Sequence, residues 1–405
     1  MLKLICTFAM FGFFSSQLSA NSYKLNKLTG AGIVQIQIET NSKSETSEAE
    51  KSILALQVKK STTALQQSNW KHLTLKKNLK IVILGDSGCR LKEMLIKNEY
   101  QDCNDSQAWP FPSVIAQVVK EQPDLIIHLG DYHYREKCTQ EKICEKMKGS
   151  IGYGWMPWDK DFFEPAKPAF EKIPWIFVRG NHEDCARAFL GYGKLLATPA
   201  FENCPAYEEP DYIQLGELLI VNLDSSGVSE GLETSQDSIG LWTKRFEAIA
   251  QKIHSFVVDK KVKSVWLVSH KPFYGLVKMG PIAAPVNMNL KKYLESTELK
   301  SKVQLVMAGH IHVSEVIKPL RGPLQFILGN GGTQLDTFSE FLQSRDPKSL
   351  GLQSIQTGSP GFGYAVFEKL EKGSDWNVSF KNEKGAMTSQ CLLNPEKQTC
   401  LESEK

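Results

Sequence analysis

The sequence predicts an α/β protein in which strands and helices form layers. Short apolar runs rich in β-branched residues suit strands that are buried on both faces. Such runs occupy residues 81–85, 125–130, 175–180, 265–269 and 305–309. Helical patterns lie between or beside them, at residues 113–120, 161–172, 241–254 and 290–299. In sheets of this kind, functional side chains collect just beyond the carboxyl ends of the strands.

The composition is that of an ordinary folded protein. Of the 405 residues, 41% are hydrophobic and 23% are charged, which excludes a disordered chain, a collagen and a coiled coil. Lys and Arg total 48 and Asp and Glu total 45, so the formal net charge is only +3. This small surplus argues against nucleic-acid binding by bulk electrostatics, and no nucleic acid is expected as a stable partner.

Residues 1–20 have the pattern of a secretory signal peptide. Lys3 precedes an apolar run at residues 4–14, and small and polar residues then lead to a predicted cleavage site after Ala20. The run is too short to cross a bilayer, and no membrane span is expected once the signal is removed. A buried N-terminal helix is the alternative interpretation. The pattern therefore predicts a secreted or periplasmic protein.

Cleavage at this site would leave an even number of cysteines in an oxidising compartment, where disulfides form. The clustering of the cysteines suggests local pairs, although many other pairings are possible. These pairs are Cys89–Cys103, Cys138–Cys144, Cys185–Cys204 and Cys391–Cys400. A zinc cluster is the alternative, and the lack of a CxxC pair counts against it.

The chain after the signal divides into two parts. Residues 21–78 are rich in Ser, Thr, Lys and Gln, and we expect an N-terminal extension packed on the main domain. Within it, alternation at residues 33–38 predicts a strand, and residues 47–67 are expected to be helical. Residues 79–400 are expected to form the main domain. Near its end, two strand-like runs flank a turn, and this hairpin predicts a second, more antiparallel sheet.

The five main runs each end in side chains that can bind a metal. One such residue alone usually caps a turn or forms a structural hydrogen bond, so the information lies in the set and its order. In chain order the motifs are Gly85-Asp86-Ser87-Gly88, Gly130-Asp131-Tyr132-His133-Tyr134, Gly180-Asn181-His182-Glu183, His270 and Gly309-His310-Ile311-His312. This set resembles the calcineurin-like metallophosphoesterase superfamily and, more narrowly, its purple acid phosphatase branch. The resemblance implies a four-layer αββα sandwich of two mixed β-sheets flanked by helices.

Two linked positions point to the branch. Gly88 stands where most of the superfamily has a His, and Tyr134 stands where purple acid phosphatases place a Tyr, three residues after the second Asp. The resemblance also implies a binuclear metal site at the carboxyl ends of the strands. Its first ion would be held by Asp86, Asp131, Tyr134 and His312, and its second by Asp131, Asn181, His270 and His310.

The charges of these ligands indicate which ions they suit. Two carboxylates and a Tyr134 phenolate favour Fe(III), because ionising a phenol near neutral pH requires a strongly polarising cation. At the Asn181 site the shared Asp131 is the only anion, so a divalent ion such as zinc, manganese or iron is expected.

The resemblance implies hydrolysis of a small phosphate-ester substrate, a monoester, by in-line attack of a metal-bound hydroxide. His182 is expected to contact the phosphate and to protonate the leaving alkoxide. Alternatively, His182 only holds Glu183 or its loop. Two other functions stay open: a phosphodiesterase or nucleotide-cleaving enzyme on the same core, and a non-catalytic binding protein.

Three residues beside the expected ligands are weaker candidates for substrate binding. They are His133, Arg135 and Lys271, and each could equally be a structural or surface residue. The additional substrate-binding His residues of the family have no clear match in this sequence. The substrate preference is therefore left open at this stage.

Overall fold

Two β-sheets lie face to face, and helices cover the outer face of each sheet. The computed structural model describes residues 22–40, 49–91, 100–139, 141–371 and 373–402. The signal peptide predicted at residues 1–20 lies outside the described residues.

The strands, numbered in chain order, are short and mostly buried. They are β1 (Ser22–Thr29), β2 (Gly32–Glu39), β3 (Gln57–Ser61), β4 (Lys80–Leu84), β5 (Leu125–His128), β6 (Pro174–Phe177), β7 (Asp211–Leu215), β8 (Leu218–Leu223), β9 (Ser264–Ser269), β10 (Gly275–Met279), β11 (Ile282–Val286), β12 (Leu305–Ala308), β13 (Ser314–Pro319), β14 (Leu324–Leu328), β15 (Leu352–Thr357), β16 (Gly363–Lys369), β17 (Trp376–Asn382), β18 (Met387–Asn394) and β19 (Thr399–Glu402).

The helices are α1 (Ala64–Leu75), α2 (Phe111–Glu121), α3 (Glu141–Lys146), α4 (Trp155–Trp158), α5 (Glu164–Phe170), α6 (Phe189–Gly191), α7 (Gln236–Asp259), α8 (Met288–Ser296), α9 (Leu299–Lys302) and α10 (Ser339–Gln343). The four helical patterns of the sequence coincide with α2, α5, α7 and α8. Among the described helices, none is both long enough and apolar enough to cross a bilayer.

The first sheet has the strand order β19-β18-β17-β16-β4-β5-β6-β1-β2-β3. Its central strands β4, β5, β6 and β1 run parallel, and the strands on either side are antiparallel. Alternate residues of β4 explain its unbroken apolar run. Val82 and Leu84 pack under the helices, whereas Ile81 and Ile83 face the second sheet.

The second sheet has the order β15-β13-β14-β12-β9-β8-β7. Trp266, Met307 and Phe326 from its inner face pack against the inner face of the first sheet, and α7 and α8 cover its outer face. The layers therefore run helix, sheet, sheet, helix, as the resemblance implied. A separate hairpin of β10 and β11 follows the loop after β9.

The prediction that the C-terminal hairpin belongs to a second sheet is wrong. β16 pairs antiparallel with β4, so the hairpin of β16 and β17 extends the first sheet. The second sheet instead contains β9 and β12. The sequence could not show this, because an apolar run indicates which faces of a strand are buried but not which strand it pairs with.

The predicted helix at residues 47–67 is also wrong over most of its length. Residues Glu50–Ile53 form one 3₁₀ turn, Gln57–Ser61 form β3, and α1 begins only at Ala64. Residues 47 and 48 lie outside the described residues. Thr63 fixes the start of α1, because it and Gln66 exchange side-chain hydrogen bonds with each other's backbone N–H groups.

The extension joins the first sheet directly, since Asn26 and Lys27 of β1 pair in parallel with Pro174 and Trp175 of β6.

All four predicted disulfides are confirmed. They are Cys89–Cys103, Cys138–Cys144, Cys185–Cys204 and Cys391–Cys400. The first and third pin the loops that follow β4 and β6, at the edge where the predicted metal ligands lie.

Candidate metal centre

The carboxyl ends of five strands meet where the two sheets approach each other. Asp86, Asp131 and Asn181 follow β4, β5 and β6 of the first sheet, whereas His270 and His310 follow β9 and β12 of the second. The five sets of polar side chains therefore reach one place, as the sequence predicted, but they come from two sheets and not one.

The backbone turns sharply at three of these residues. Asp86, Asp131 and His310 have φ values of 56°, 57° and 72°, in the left-handed region that side chains other than glycine rarely adopt. Such strain persists where the surrounding structure enforces it, and it is concentrated at functional sites.

Glycines make room for this close approach. A Cβ atom on Gly180 would lie 2.1 Å from Asp131 Oδ1, and one on Gly309 would lie 2.4 Å from Asp86 Oδ2. These two glycines are therefore needed because a carboxylate oxygen occupies the space of a side chain.

Four side chains form one half of the cluster. Asn181 Oδ1 lies 2.8 Å from both His270 Nε2 and His310 Nδ1. Asp131 Oδ2 lies 3.2 Å from His270 Nε2. One ligand atom from each of Asp131, His270 and His310 lies within 4.8 Å of the others, a spacing that can hold a metal ion.

The hydrogen-bonding chemistry of this half fits a cation. His270 donates its Nδ1–H to the carbonyl oxygen of Leu129 at 2.8 Å, which leaves a lone pair on Nε2. Asn181 Oδ1 and Asp131 Oδ2 are also acceptors, and both face that nitrogen. Three acceptors without a shared hydrogen repel one another, and a positive ion between them removes the repulsion.

The other half is centred on the Tyr134 hydroxyl. This oxygen lies 2.9 Å from Asp131 Oδ2, 3.0 Å from His312 Nε2 and 3.3 Å from Asp86 Oδ1. The second oxygen of Asp86 accepts the backbone N–H of His310 at 2.9 Å. The other three predicted ligands of the first ion thus meet at the Tyr134 hydroxyl, and Asp131 is common to both halves.

Without a bound cation, burial makes it unfavourable to ionise Asp86 and Tyr134 in this half. The pKa of Asp86 is raised well above its usual range, first by burial and then by the charge of Asp131. Burial and the same two carboxylates raise the pKa of Tyr134. Because burial disfavours the ionised forms of Asp86 and Tyr134, a cation bound beside them would stabilise those forms.

His182 lies at the side of the cluster with a defined orientation. Its Nδ1 lies 3.0 Å from Glu136 Oε1 and 3.0 Å from the carbonyl oxygen of His133, and the Arg187 guanidinium lies 2.7 Å from the same nitrogen. Its Nε2 lies 3.8 Å from Asp131 Oδ2, and its ring centre lies 3.8 Å from that of Tyr134. The imidazole therefore faces the cluster with Nε2.

Glu183 is buried behind the ligands and holds their loops together. Its carboxylate accepts backbone N–H groups from Gly180, Asp131, Tyr132 and His133. This carboxylate binds backbone from two of the motif loops, so it acts as a support for the ligands.

The three weaker candidates for substrate binding are not brought into the cluster. The buried ring of His133 stacks on Trp158, with 5.4 Å between ring centres. The buried Arg135 donates its Nε–H to Asp161 at 2.7 Å. The Lys271 ammonium donates to two backbone carbonyls. All three side chains have structural partners instead.

Three other charged residues lie at the cluster and were missed by the sequence analysis. The Arg187 guanidinium lies 2.8 Å from His182 Nε2, and Glu136 accepts the Arg187 Nε–H at 2.6 Å. Arg90 lies over the ring of Tyr134. The only signal in the sequence was closeness to the motifs, since Arg90 and Glu136 follow Asp86 and Asp131 within five residues.

The fold and this donor set are those of the metallophosphoesterase class, whose fold implies two metal ions. The family profile described as calcineurin-like phosphoesterase matches residues 79–314, more than half of the chain. The chain belongs to the calcineurin-like phosphoesterase family. A search of curated protein sequences finds no match.

Solved structures share the fold at low sequence identity. A purple acid phosphatase from yellow lupin (Lupinus luteus) seeds is 16% identical with a TM-score of 0.52, over 89% of this chain and 59% of that one. This chain thus spans about three fifths of the lupin protein's length. The GAP50 anchor of the Plasmodium inner membrane complex is 14% identical (TM-score 0.47; 82% and 90% covered). A dimetal phosphatase from Danio rerio is 12% identical (TM-score 0.44; 78% and 98% covered).

Proposed function

We propose that this protein is a phosphatase of the purple acid type that hydrolyses phosphate monoesters. The observation that carries this proposal is the relation between Gly88 and Tyr134. A Cβ atom on Gly88 would lie 2.8 Å from both a ring carbon and the backbone nitrogen of Tyr134. The tyrosine therefore fills the space of the side chain that Gly88 lacks, which is the exchange of His for Tyr that separates this branch from the rest of the family.

The proposed ligand sets follow the two halves of the cluster. Asp86, Asp131, Tyr134 and His312 would hold Fe(III), and Asp131, Asn181, His270 and His310 would hold divalent zinc, manganese or iron. When bound, the two ions supply an activated water nucleophile and neutralise the charge of the phosphate.

The proposed task of His182 is proton transfer to the leaving oxygen. Two acceptors, Glu136 Oε1 and the His133 carbonyl oxygen, lie beside Nδ1 and favour a hydrogen there, which would leave Nε2 to face the metal ligands. Nε2 faces the cluster, and the Arg187 guanidinium, which can only donate, lies 2.8 Å from it. Nε2 can therefore hold the proton that the leaving alkoxide needs once this guanidinium has moved away.

The proposed setting is an oxidising compartment outside the cytoplasm. Four disulfides support it, because such bonds persist where thiols are not kept reduced. We further infer that residues 79–400 are the catalytic domain and that residues 21–78 are an extension of its first sheet.

The proposal is tested by loading purified protein with iron and zinc and comparing p-nitrophenyl phosphate with bis(p-nitrophenyl) phosphate. We expect turnover of the monoester to exceed that of the diester. Turnover of the diester alone would instead assign a phosphodiesterase to the same core. Stoichiometric metal binding without turnover of either ester would indicate a binding protein.

A further inference from the structure

Two arginines flank the cluster without a part in the chemistry above. The guanidinium carbon of Arg90 lies 5.4 Å from the ring centre of Tyr134. The guanidinium of Arg187 lies 2.8 Å from His182 Nε2. Because the rings of Tyr134 and His182 are 3.8 Å apart, both guanidiniums lie against the same ring pair beside the metal ligands.

The backbone of Arg90 is held firmly. Its N–H donates to the side-chain oxygen of Gln101 at 2.9 Å, and its carbonyl accepts the Gln101 N–H at 2.7 Å. Gln101 is itself buried, and the preceding Cys89 is disulfide-bonded to Cys103. The guanidinium thus extends from a pinned backbone and not from a free loop.

Arg187 is held through its side chain. Glu136 accepts its Nε–H at 2.6 Å, and this contact leaves the terminal nitrogens directed at His182. Two residues earlier, Cys185 is disulfide-bonded to Cys204, which fixes the loop that carries the arginine. Each arginine therefore follows a disulfide closely and is positioned by a specific polar partner.

The chemistry of the two side chains suits a phosphoryl group. A guanidinium offers several N–H groups in a rigid fork, which matches the oxygens of a phosphoryl group. A monoester presents three terminal oxygens and close to two negative charges, whereas a diester presents two such oxygens and one charge.

We propose that Arg90 and Arg187 form a guanidinium pair that binds the terminal oxygens of the phosphoryl group and so selects monoesters over diesters. The inference rests on the proposed phosphatase activity. It assigns the discrimination to two residues outside the ligand set.

The test compares Arg90→Ala and Arg187→Ala with the wild type and with Arg321→Ala, which removes an exposed arginine from the turn between β13 and β14. Metal content is measured in each protein. The kcat/KM values are determined for p-nitrophenyl phosphate and bis(p-nitrophenyl) phosphate, and binding of inorganic phosphate to the metal-loaded proteins is followed by calorimetry.

We expect each of the two variants to keep its metal and to lose monoester kcat/KM by about 10- to 100-fold, the effect of losing charge-assisted hydrogen bonds. The Kd for inorganic phosphate should rise by about tenfold or more. The kcat/KM for the diester should fall much less, and Arg321→Ala should behave as the wild type. Arg187→Lys keeps the positive charge but lacks the forked N–H groups. Its monoester kcat/KM should lie between the values of the wild type and Arg187→Ala, and this variant controls for misfolding.

The proposed guanidinium pair would be overturned if kcat/KM fell equally for both esters. It would also be overturned if both variants kept their metal and bound phosphate as the wild type does. A different result bears on the proposed function. If the wild type hydrolyses neither ester, the phosphatase proposal fails, whereas weaker phosphate binding by the two variants would still support the guanidinium pair.

Discussion

The close fit between Gly88 and Tyr134 predicts that Gly88→Ala damages both stability and metal binding. A Cβ atom there would meet the Tyr132 carbonyl oxygen, a ring carbon of Tyr134 and the Tyr134 nitrogen, all at 2.8 Å. Ordinary van der Waals contacts are longer by more than half an ångström, and two of the three atoms belong to backbone, which cannot turn away. Overpacking of this kind costs about 1–3 kcal/mol of unfolding free energy.

The matched control for this substitution is Gly240→Ala. Gly240 lies within α7, and a Cβ atom there has no contact within 4 Å. Replacing an uncrowded helical glycine with alanine stabilises a helix by about 0.5–1 kcal/mol. The two alanine variants should therefore move stability in opposite directions.

The assay is urea unfolding of both variants, followed by circular dichroism, together with iron content after loading. We expect Gly88→Ala to unfold at lower urea and to bind less iron, because Tyr134 must shift away from Asp86 and Asp131. A Gly88→Ala protein with wild-type stability and full iron content would refute the reasoning, since the tyrosine would then not depend on the space at Gly88.

Three further outcomes are expected from the cluster. His182→Ala should keep both metals, measured by atomic absorption, and lose kcat on the monoester by about 10²-fold or more; unchanged kcat would remove it from the reaction. Asp131→Ala should lose both metals and activity together, because its carboxylate is common to both halves, and retention of both ions would contradict that. Replacing Cys185 and Cys204 by serine should lower monoester kcat/KM while metal content stays, since this disulfide holds the Arg187 loop; unaltered kinetics would show that the loop needs no such support.

The convergence of the strand ends was predictable from the sequence. Continuous apolar runs indicate strands buried on both faces, and Asp86, Asp131 and Asn181 follow three such strands in a fixed order. Parallel strands bring those ends to one edge, so their side chains were expected to meet. The local disulfide pairs were also predictable, because cysteines that are close in sequence can pair without bringing distant segments together.

Other features depend on contacts between distant segments. The sequence does not show that β9 and β12 belong to a second sheet, since their runs look like those of β4 and β5. Nor does it show that Glu136 meets Arg187, 51 residues later, at the ring of His182. The side chains of His133 and Arg135 leave the strand end in directions set by Trp158 and Asp161, which periodicity alone does not predict.

Visible absorption of the iron-loaded protein gives the sharpest test of the proposal that Tyr134 binds a ferric ion. A tyrosinate bound to Fe(III) absorbs visible light, so we expect a purple protein whose colour disappears in Tyr134→Phe. A colourless wild-type protein that is active without iron would contradict the claim, although the phosphoesterase fold would stand.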